Sequence, residues 1–150
     1  MAKNSKFSNK TFDSPRILSM IQQLRLQYRD NERVTADMIQ QMRTLRELFI
    51  EQEQPTIVKS IRLACEHIER FGKFDPRFLD EDSEESEYEY YLDLLTNPNN
   101  KYNRDEIKEF NLQLKESLEN DDFFSLPRRS QLRMEEEEEE YDDEEGDDEE

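Results

Sequence analysis

The chain has 150 residues and a formal net charge of −18; 40% of its residues are charged and 33% are hydrophobic. Globular domains usually have about 25% charged and ~45–50% apolar residues, so the hydrophobic content is low and the charged content high. Two Gly and no Trp also argue against a β architecture, because its many turns need residues that tolerate positive φ. The abundance of Glu, Gln, Leu, Arg and Lys favours helices, and we expect an all-α fold.

Residues 1–13 are polar, contain three Lys and are predicted to form a flexible basic arm. They lack the apolar stretch of a signal peptide, and no uninterrupted apolar run approaches the ~18 residues that suggest a membrane span. The single cysteine, Cys65, excludes an internal disulfide, so nothing requires an oxidising compartment. We therefore expect a soluble intracellular protein, located in the cytoplasm, that does not bind membranes.

Apolar residues then recur at helical steps of four and three in three successive segments. The first predicted helix begins at Pro15, the second follows Thr35, and the third begins near Pro55 and ends at Gly72. Short connections favour antiparallel neighbours, so residues 14–73 are predicted to form an antiparallel three-helix bundle. The three apolar stripes are Ile17, Ile21, Leu24 and Tyr28; Met38, Met42, Leu45 and Phe49; and Ile57, Ile61, Ala64, Ile68 and Phe71.

Residues 74–126 are predicted to be an acidic helical extension with two shorter helices. Asn103 and Glu106 have the spacing of a capping box at the start of the fifth helix, which should end near Asn120. The front bundle buries about 15 apolar side chains, a thin margin against chain entropy. Extra burial should therefore come from these two helices, from a second copy or from a partner. Their apolar stripes are Tyr88, Tyr91, Leu92 and Leu95, and Ile107, Phe110, Leu114 and Leu118.

Charge is unevenly distributed along the chain. Residues 1–74 contain 13 Lys and Arg against 9 Asp and Glu, whereas residues 75–133 contain 8 against 16. Residues 134–150 add 14 Asp and Glu without any Lys or Arg. So little apolar surface and so much like charge prevent folding, and we expect residues 127–150 to be a disordered tail that is polyacidic from residue 134. Such a tail could solubilise the protein, bind a basic protein surface, or fold back on the basic front half.

Residues suited to catalysis are scarce. The only histidine, His67, is expected to face solvent or lie at the rim of the bundle, and Cys65 is expected to be a small core or rim residue. Residues two positions apart or closer on a helix point in different directions, and these two make a poor thiolate–imidazole pair. Two Gly cannot build a glycine-rich phosphate loop, and one Cys with one His cannot form a structural zinc site. We expect no enzymatic activity, no catalytic residue, no metal site and no cofactor.

Two groups of residues are candidates for binding a partner. The aromatic segment at residues 123–127 either caps the bundle by packing on it or is a short linear motif that fills a pocket on another protein. Acidic side chains of the tail are candidates for contact with a basic partner surface. The residues assigned to partner binding are Phe123, Phe124, Leu126, Glu135, Glu136, Glu137, Glu138, Glu139, Glu140, Asp142 and Asp143.

The front half offers a candidate surface for nucleic acid or an acidic partner. Arg25, Arg29 and Arg33 recur every fourth residue, on one helical face until the helix frays, and Arg43 and Arg46 lie on the second helix. A three-helix unit with surface arginines is compatible with a helix-turn-helix reader. The linker before the third helix, residues 52–55, is acidic, contains Pro and lacks Gly, which makes it a poor recognition turn. A solvated basic surface is the simpler interpretation.

Three functions are compatible with these features. The first is a non-enzymatic interaction, assembly or regulatory adaptor, whose helical body docks on a partner or a second copy and whose acidic tail engages a basic surface. The alternative is a nucleic-acid-binding regulator whose basic front is damped by the tail. A further alternative is a viral or phage structural or scaffolding component, in which the helices assemble into homo-oligomers.

Overall fold

The structure is a computed structural model that describes residues 14–128. Within that range the fold is all-α, with five α-helices, one short 3-10 helix at Phe123–Ser125 and no strand, which confirms the predicted class. The predicted arm at residues 1–13 and the acidic residues 134–150 lie outside the described residues. The helices are α1 (Pro15–Asn31), α2 (Ala36–Glu51), α3 (Pro55–Phe71), α4 (Glu87–Leu95) and α5 (Lys101–Glu119).

The first three helices begin and end where local chemistry predicts. The side chain of Thr35 accepts a hydrogen bond from the backbone N–H of Met38, and Pro55 occupies the first turn of α3, where no N–H donor is needed. Gly72 has φ 74°, and its N–H donates to the carbonyl of Ile68 at 2.7 Å. This left-handed conformation is one that glycine adopts without steric cost, so Gly72 ends α3 as predicted.

The predicted capping box at the start of α5 is wrong. Asn100 is the N-cap, and its side chain accepts from the backbone N–H of Asn103 at 3.0 Å. Asn103 is already inside the helix, and its amide donates to the carbonyl of Asn97 at 3.1 Å. Both asparagines can cap, and the one next to the turn does so. As a result α5 has 19 residues and is the longest of the described helices rather than a short one.

The helices pack in a closed ring. In spatial order α1 packs on α2, α2 on α3, α3 on α5, α5 on α4, and α4 returns to α1. Helix α3 packs as extensively on α5 as on α2. The buried apolar residues of all five helices belong to one core, so α4 and α5 supply the burial that the front helices lack. A self-contained bundle at residues 14–73 stays a prediction.

Helices α3 and α5 run in the same general direction. The amide of Asn111 donates to the carbonyl of Thr56 at 3.4 Å, near the start of α3. Near the end of α3, the ring of His67 contacts the hydroxyl of Ser117 at 2.8 Å. Because α5 covers a second side of α3, residues off the predicted apolar stripe of α3 are also buried.

None of the helices within residues 14–128 combines the length and the apolar character needed to cross a membrane.

Candidate functional site

The last described residues are held against the body. We call residues 120–128 the C-terminal strap. Phe123 is 3% exposed, and the ring of Phe124 meets that of Phe71 at a centroid distance of 4.9 Å. The ammonium of Lys73 lies 4.5 Å from the centroid of the Phe124 ring. The two phenylalanines therefore pack on the protein itself, and Phe123 is not exposed to a partner in this conformation.

Cationic side chains fix the backbone of the strap. Arg77 donates through Nη1 to the carbonyl of Phe124 at 3.1 Å and through Nη2 to the carbonyl of Leu126 at 2.7 Å. Arg70 donates to the carbonyl of Leu118, just before the strap, at 2.7 Å. The last carbonyls of a helix, such as that of Leu118, have no partner within it, and here the guanidinium groups of Arg70 and Arg77 donate to that carbonyl and to those of the strap.

Arg128 anchors the far end of the strap. Its Nε donates to the carbonyl of Leu79 at 2.6 Å, and its Nη2 lies 3.2 Å from Glu87 Oε2 and 3.6 Å from Asp75 Oδ1. The Arg128 side chain is only 13% exposed, and buried charge pairs are costly to break. Sequence reasoning placed Arg128 in the tail, whereas the structure attaches it to the body.

Glu87 is the carboxylate at the centre of this anchor. It begins α4, and its two oxygens accept from the backbone N–H groups of Phe78 and Leu79 at 3.0 and 2.7 Å. Burial raises the pKa of Glu87, while the two N–H groups and Arg128 act in the opposite direction. The carboxylate thus joins the start of α4, the segment after α3 and the strap.

An exposed acidic segment lies next to the anchor. Residues 80–85, which we call the acidic loop, contain five Asp or Glu and are all exposed. Partial burial and the proximity of Asp93 raise the pKa of Glu85, so like charges are already crowded there. Because Arg128 binds the carbonyl of Leu79, one residue before the loop, the described chain ends beside this acidic loop.

The candidate arginines of α1 are paired with carboxylates of α4. Arg25 Nη1 lies 2.5 Å from Asp93 Oδ1, and Arg29 Nη2 lies 3.0 Å from Glu89 Oε1. Arg33 lies beyond the end of α1 at Asn31 and is exposed, so it does not continue their helical face. The structure therefore uses two of these three arginines to attach α4 to α1.

The two candidate arginines of α2 contact α3. Arg43 Nη2 lies 2.7 Å from Glu69 Oε2, and Arg46 Nε donates to the carbonyl of Val58 at 3.0 Å. They line an open groove of about 320 Å³ that also contains Glu47, Arg62, Cys65 and Glu66, so basic and acidic groups share it. The arginines form no continuous cationic surface, because each faces an acceptor on the neighbouring helix.

His67 is fully buried, so the expectation of a solvent-facing or rim histidine is wrong. The backbone N–H of Asp75 donates to Nε2 at 3.0 Å, and Nδ1 contacts Ser117 Oγ at 2.8 Å. An N–H can only donate, so the neutral ring carries its proton on Nδ1 and donates to Ser117. The Ser117 hydroxyl donates in turn to the carbonyl of Leu114 at 2.6 Å. Burial lowers the pKa of His67 to about 4.

These residues resemble a hydrolytic triad in type but not in bonding. In a triad the histidine accepts the serine proton and donates to the carboxylate. Here the histidine donates to Ser117, the serine proton is bound by a carbonyl, and Asp75 contributes its backbone N–H. Ser117 is 0% exposed. The contacts connect α3, the following segment and α5, and they leave no activated nucleophile.

Cys65, expected to be a core or rim residue, lies in the core. It is 3% exposed, and burial raises the pKa of its thiol to about 11. Within residues 14–128, no group of three or more His, Cys, Asp or Glu side chains converges on a point suited to a metal ion.

Sequence reasoning missed the residues that bind the strap and the histidine. Ser60 and His67 belong to a second stripe of α3 that the apolar pattern did not include, although their spacing of seven residues matches two helical turns. Arg77, Glu87 and Arg128 gave no sequence signal, because they meet only after the segments that carry them are folded together.

Comparison of the chain with protein-family models, with curated protein sequences and with solved structures gives no match.

Proposed function

We propose that this chain is a non-enzymatic protein-interaction module that binds a basic surface on another protein. The binding element is an acidic pole, defined as the acidic loop at residues 80–85 together with the acidic residues 134–150. The helical body is the scaffold that presents this pole. Attraction between opposite charges then speeds encounter with the partner and selects it.

The observation that carries the proposal is the position of Arg128. Its guanidinium is bound to the carbonyl of Leu79 and to Glu87, so the chain that leads to residues 134–150 starts beside the acidic loop. The acidic loop thus lies beside the point at which the described chain ends, and the acidic residues 134–150 follow six positions later in the sequence. Their combined negative charge favours a polycationic ligand over a neutral one.

The net negative charge of residues 14–128 favours this proposal over nucleic-acid binding by the first three helices. Residues 14–128 contain 16 Lys and Arg against 24 Asp and Glu. Arg25, Arg29 and Arg43 are paired with carboxylates. A phosphate group would have to displace these carboxylates before it could bind the arginines. Affinity for nucleic acid depends on free cationic groups. The nucleic-acid and scaffolding alternatives stay predictions from the sequence.

The proposal is tested by calorimetric titration with a synthetic oligolysine peptide. We expect the full chain to bind it with an affinity that falls steeply as salt is added, because the contacts are exposed and screened. A chain ending at Arg133 should bind more weakly and with a flatter salt dependence. Duplex DNA, titrated into both forms, tests the alternative, which requires tighter DNA binding after truncation.

Neutralising substitutions test the contribution of the loop. Asp82→Asn with Glu84→Gln should weaken oligolysine binding, whereas the matched control Glu47→Gln with Glu51→Gln removes two exposed charges from α2 and should weaken it less. Absence of oligolysine binding at low salt would refute the proposal. If the two double variants weaken binding equally, the acidic loop has no specific part in binding the partner.

A further inference from the structure

An open groove lies between α5 and the strap. Leu112, Phe123, Leu126 and Pro127 supply its apolar lining, and its volume is about 410 Å³. Pockets that bind small ligands measure about 300–1,000 Å³, so this groove has room for one or two apolar side chains. Leu112 is 62% exposed, although it lies in the middle of the longest described helix.

The groove exists because of the way the strap is held. The strap leaves α5 at Asn120 and turns through the 3-10 helix, which places Phe123 on the core. Arg77 also donates to the carbonyls of Phe124 and Leu126. The strap therefore forms a second wall beside α5, and Leu112 faces the space between them.

The rim of the groove is mainly acidic. Glu116 and Glu119 line it together with a single cation, Lys115. Asp122 on the strap adds a further exposed carboxylate close to Phe123 in the sequence. A ligand seated in the groove would thus place an apolar side chain against the apolar lining, with the carboxylates of Glu116 and Glu119 at the rim.

We propose that this groove binds an apolar anchor side chain of the same basic partner that the acidic pole attracts. The partner segment is a Lys- or Arg-rich peptide with one or two large apolar residues, such as Leu or Phe, between its cations. The inference rests on the proposed function and adds a location on the body and a sequence requirement on the ligand. Charge complementarity selects this ligand over a second copy of the chain, whose net charge of −18 would repel the first.

Apolar contact in the groove and attraction by the acidic pole contribute differently to binding. Attraction between exposed charges mainly raises the association rate, and salt screens it. Burial of an apolar anchor slows dissociation, and this contribution persists at high salt. An anchored basic peptide should therefore keep measurable affinity at a salt concentration at which a purely charged peptide of equal length is released.

The test compares two synthetic peptides of equal charge, one with a central Leu-Phe pair and one with Ser-Ser at the same place. We expect the full chain to bind the Leu-Phe peptide about tenfold more tightly, as burial of one large apolar side chain predicts. Leu112→Ser should abolish that preference. The matched control Leu26→Ser alters another exposed leucine, on α1 and 53% exposed, and should retain it.

The outcomes separate the two proposals. A chain ending at Arg133 should bind both peptides more weakly yet keep the preference for the anchored one. If both peptides bind the full chain equally, or if Leu112→Ser and Leu26→Ser behave alike, the groove inference is overturned while the proposed function stands. If neither peptide binds at low salt, both fail. Light scattering that shows a dimer which Leu112→Ser dissociates would assign the groove to a second copy and overturn the inference.

Discussion

Two buried tyrosines of α4 differ in the hydrogen bonding of their hydroxyl groups. Tyr88 and Tyr91 are both 0% exposed. The Tyr91 hydroxyl lies 2.8 Å from Ser60 Oγ on α3, whereas the Tyr88 hydroxyl has no hydrogen-bond partner among residues 14–128. Burial raises the pKa of both phenols and keeps them neutral. A hydroxyl that is buried without a hydrogen-bond partner loses its hydrogen bonds to water, and no contact with the protein compensates for that loss.

This difference predicts opposite effects for the same substitution. Tyr88→Phe should raise the free energy of unfolding by about 1 kcal/mol, because it removes an unsatisfied group without changing the packed ring. Tyr91→Phe should lower it by about 1–3 kcal/mol, because it leaves Ser60 without its partner. Urea denaturation of the two variants measures both values. Effects of the same sign would show that Tyr88 has a partner in solution.

At the scale of elements, the ring of His67 is one of the contacts that join α3, the segment after it and α5. Both nitrogens of the ring are bound, to Asp75 N–H and to Ser117 Oγ. Phe71 and Phe74 pack against its faces and edges, with centroids at 5.0 and 5.8 Å. Protonation would add a donor at Nε2, where a backbone N–H already points, so the folded protein disfavours the charged ring.

This connection makes stability depend on pH in a defined window. The folded pKa of His67, about 4, lies below its ordinary value of 6.5. Above pH 6.5 the ring is neutral in both states and its contribution is complete. Between pH 6.5 and 4 only the unfolded chain takes up the proton, so the free energy of unfolding should fall by about 3 kcal/mol from this group.

The measurement is urea denaturation of the wild-type chain and of His67→Gln at a series of pH values. Carboxylates titrate in both proteins, so the difference between their curves isolates the histidine. We expect His67→Gln to be less stable at pH 7 and to approach the wild type as pH falls to 4. Parallel curves would mean that the pKa of His67 is the same in the folded and unfolded chains, and would contradict the prediction.

The strap illustrates how an element is attached without forming a helix or strand of its own. Arg70, Arg77 and Arg128 donate to backbone carbonyls of other segments. Guanidinium groups suit this role because they carry several donors in a fixed plane. The same contacts that close the fold also build the wall of the groove beside α5, so the structural role of the strap and its proposed binding role depend on the same residues.

At the scale of the whole molecule, ring closure makes the front and back halves interdependent. Ser60 and His67 of α3 are bound to Tyr91 and Ser117, both beyond residue 73. A fragment that ended there would expose these polar groups together with the side of α3 that packs on α5. Burial is the main source of helical stability in proteins, and isolated helices of this length are marginal.

We therefore expect residues 14–73 alone to be mostly unfolded, and residues 14–128 to unfold in one cooperative transition. Circular dichroism during heating checks both. The fragment should show weak helical signal and no sharp transition, because chain entropy is no longer offset by the lost contacts. A cooperative transition in the fragment would instead support an autonomous three-helix bundle as the sequence predicted.

Much of the helical framework follows from local sequence. The caps at Thr35 and Gly72 act through neighbours a few residues away, and the apolar stripes repeat with the period of the helix. Where two local signals competed, as at Asn100 and Asn103, the sequence predicted the helix but not its first residue. The candidate arginines were also visible in the sequence, whereas their carboxylate partners on α4 were not.

Local sequence was enough to predict that the described chain is helical, where most of its helices begin and end, and that negative charge is concentrated at the C-terminal end. These properties arise from interactions between near neighbours and from composition. The burial of His67, the pairing of Arg25, Arg29 and Arg43 with carboxylates, and the end of the strap beside the acidic loop became visible only in the folded chain. Each of these depends on contacts between residues tens of positions apart, and such contacts form only after the helices have closed their ring.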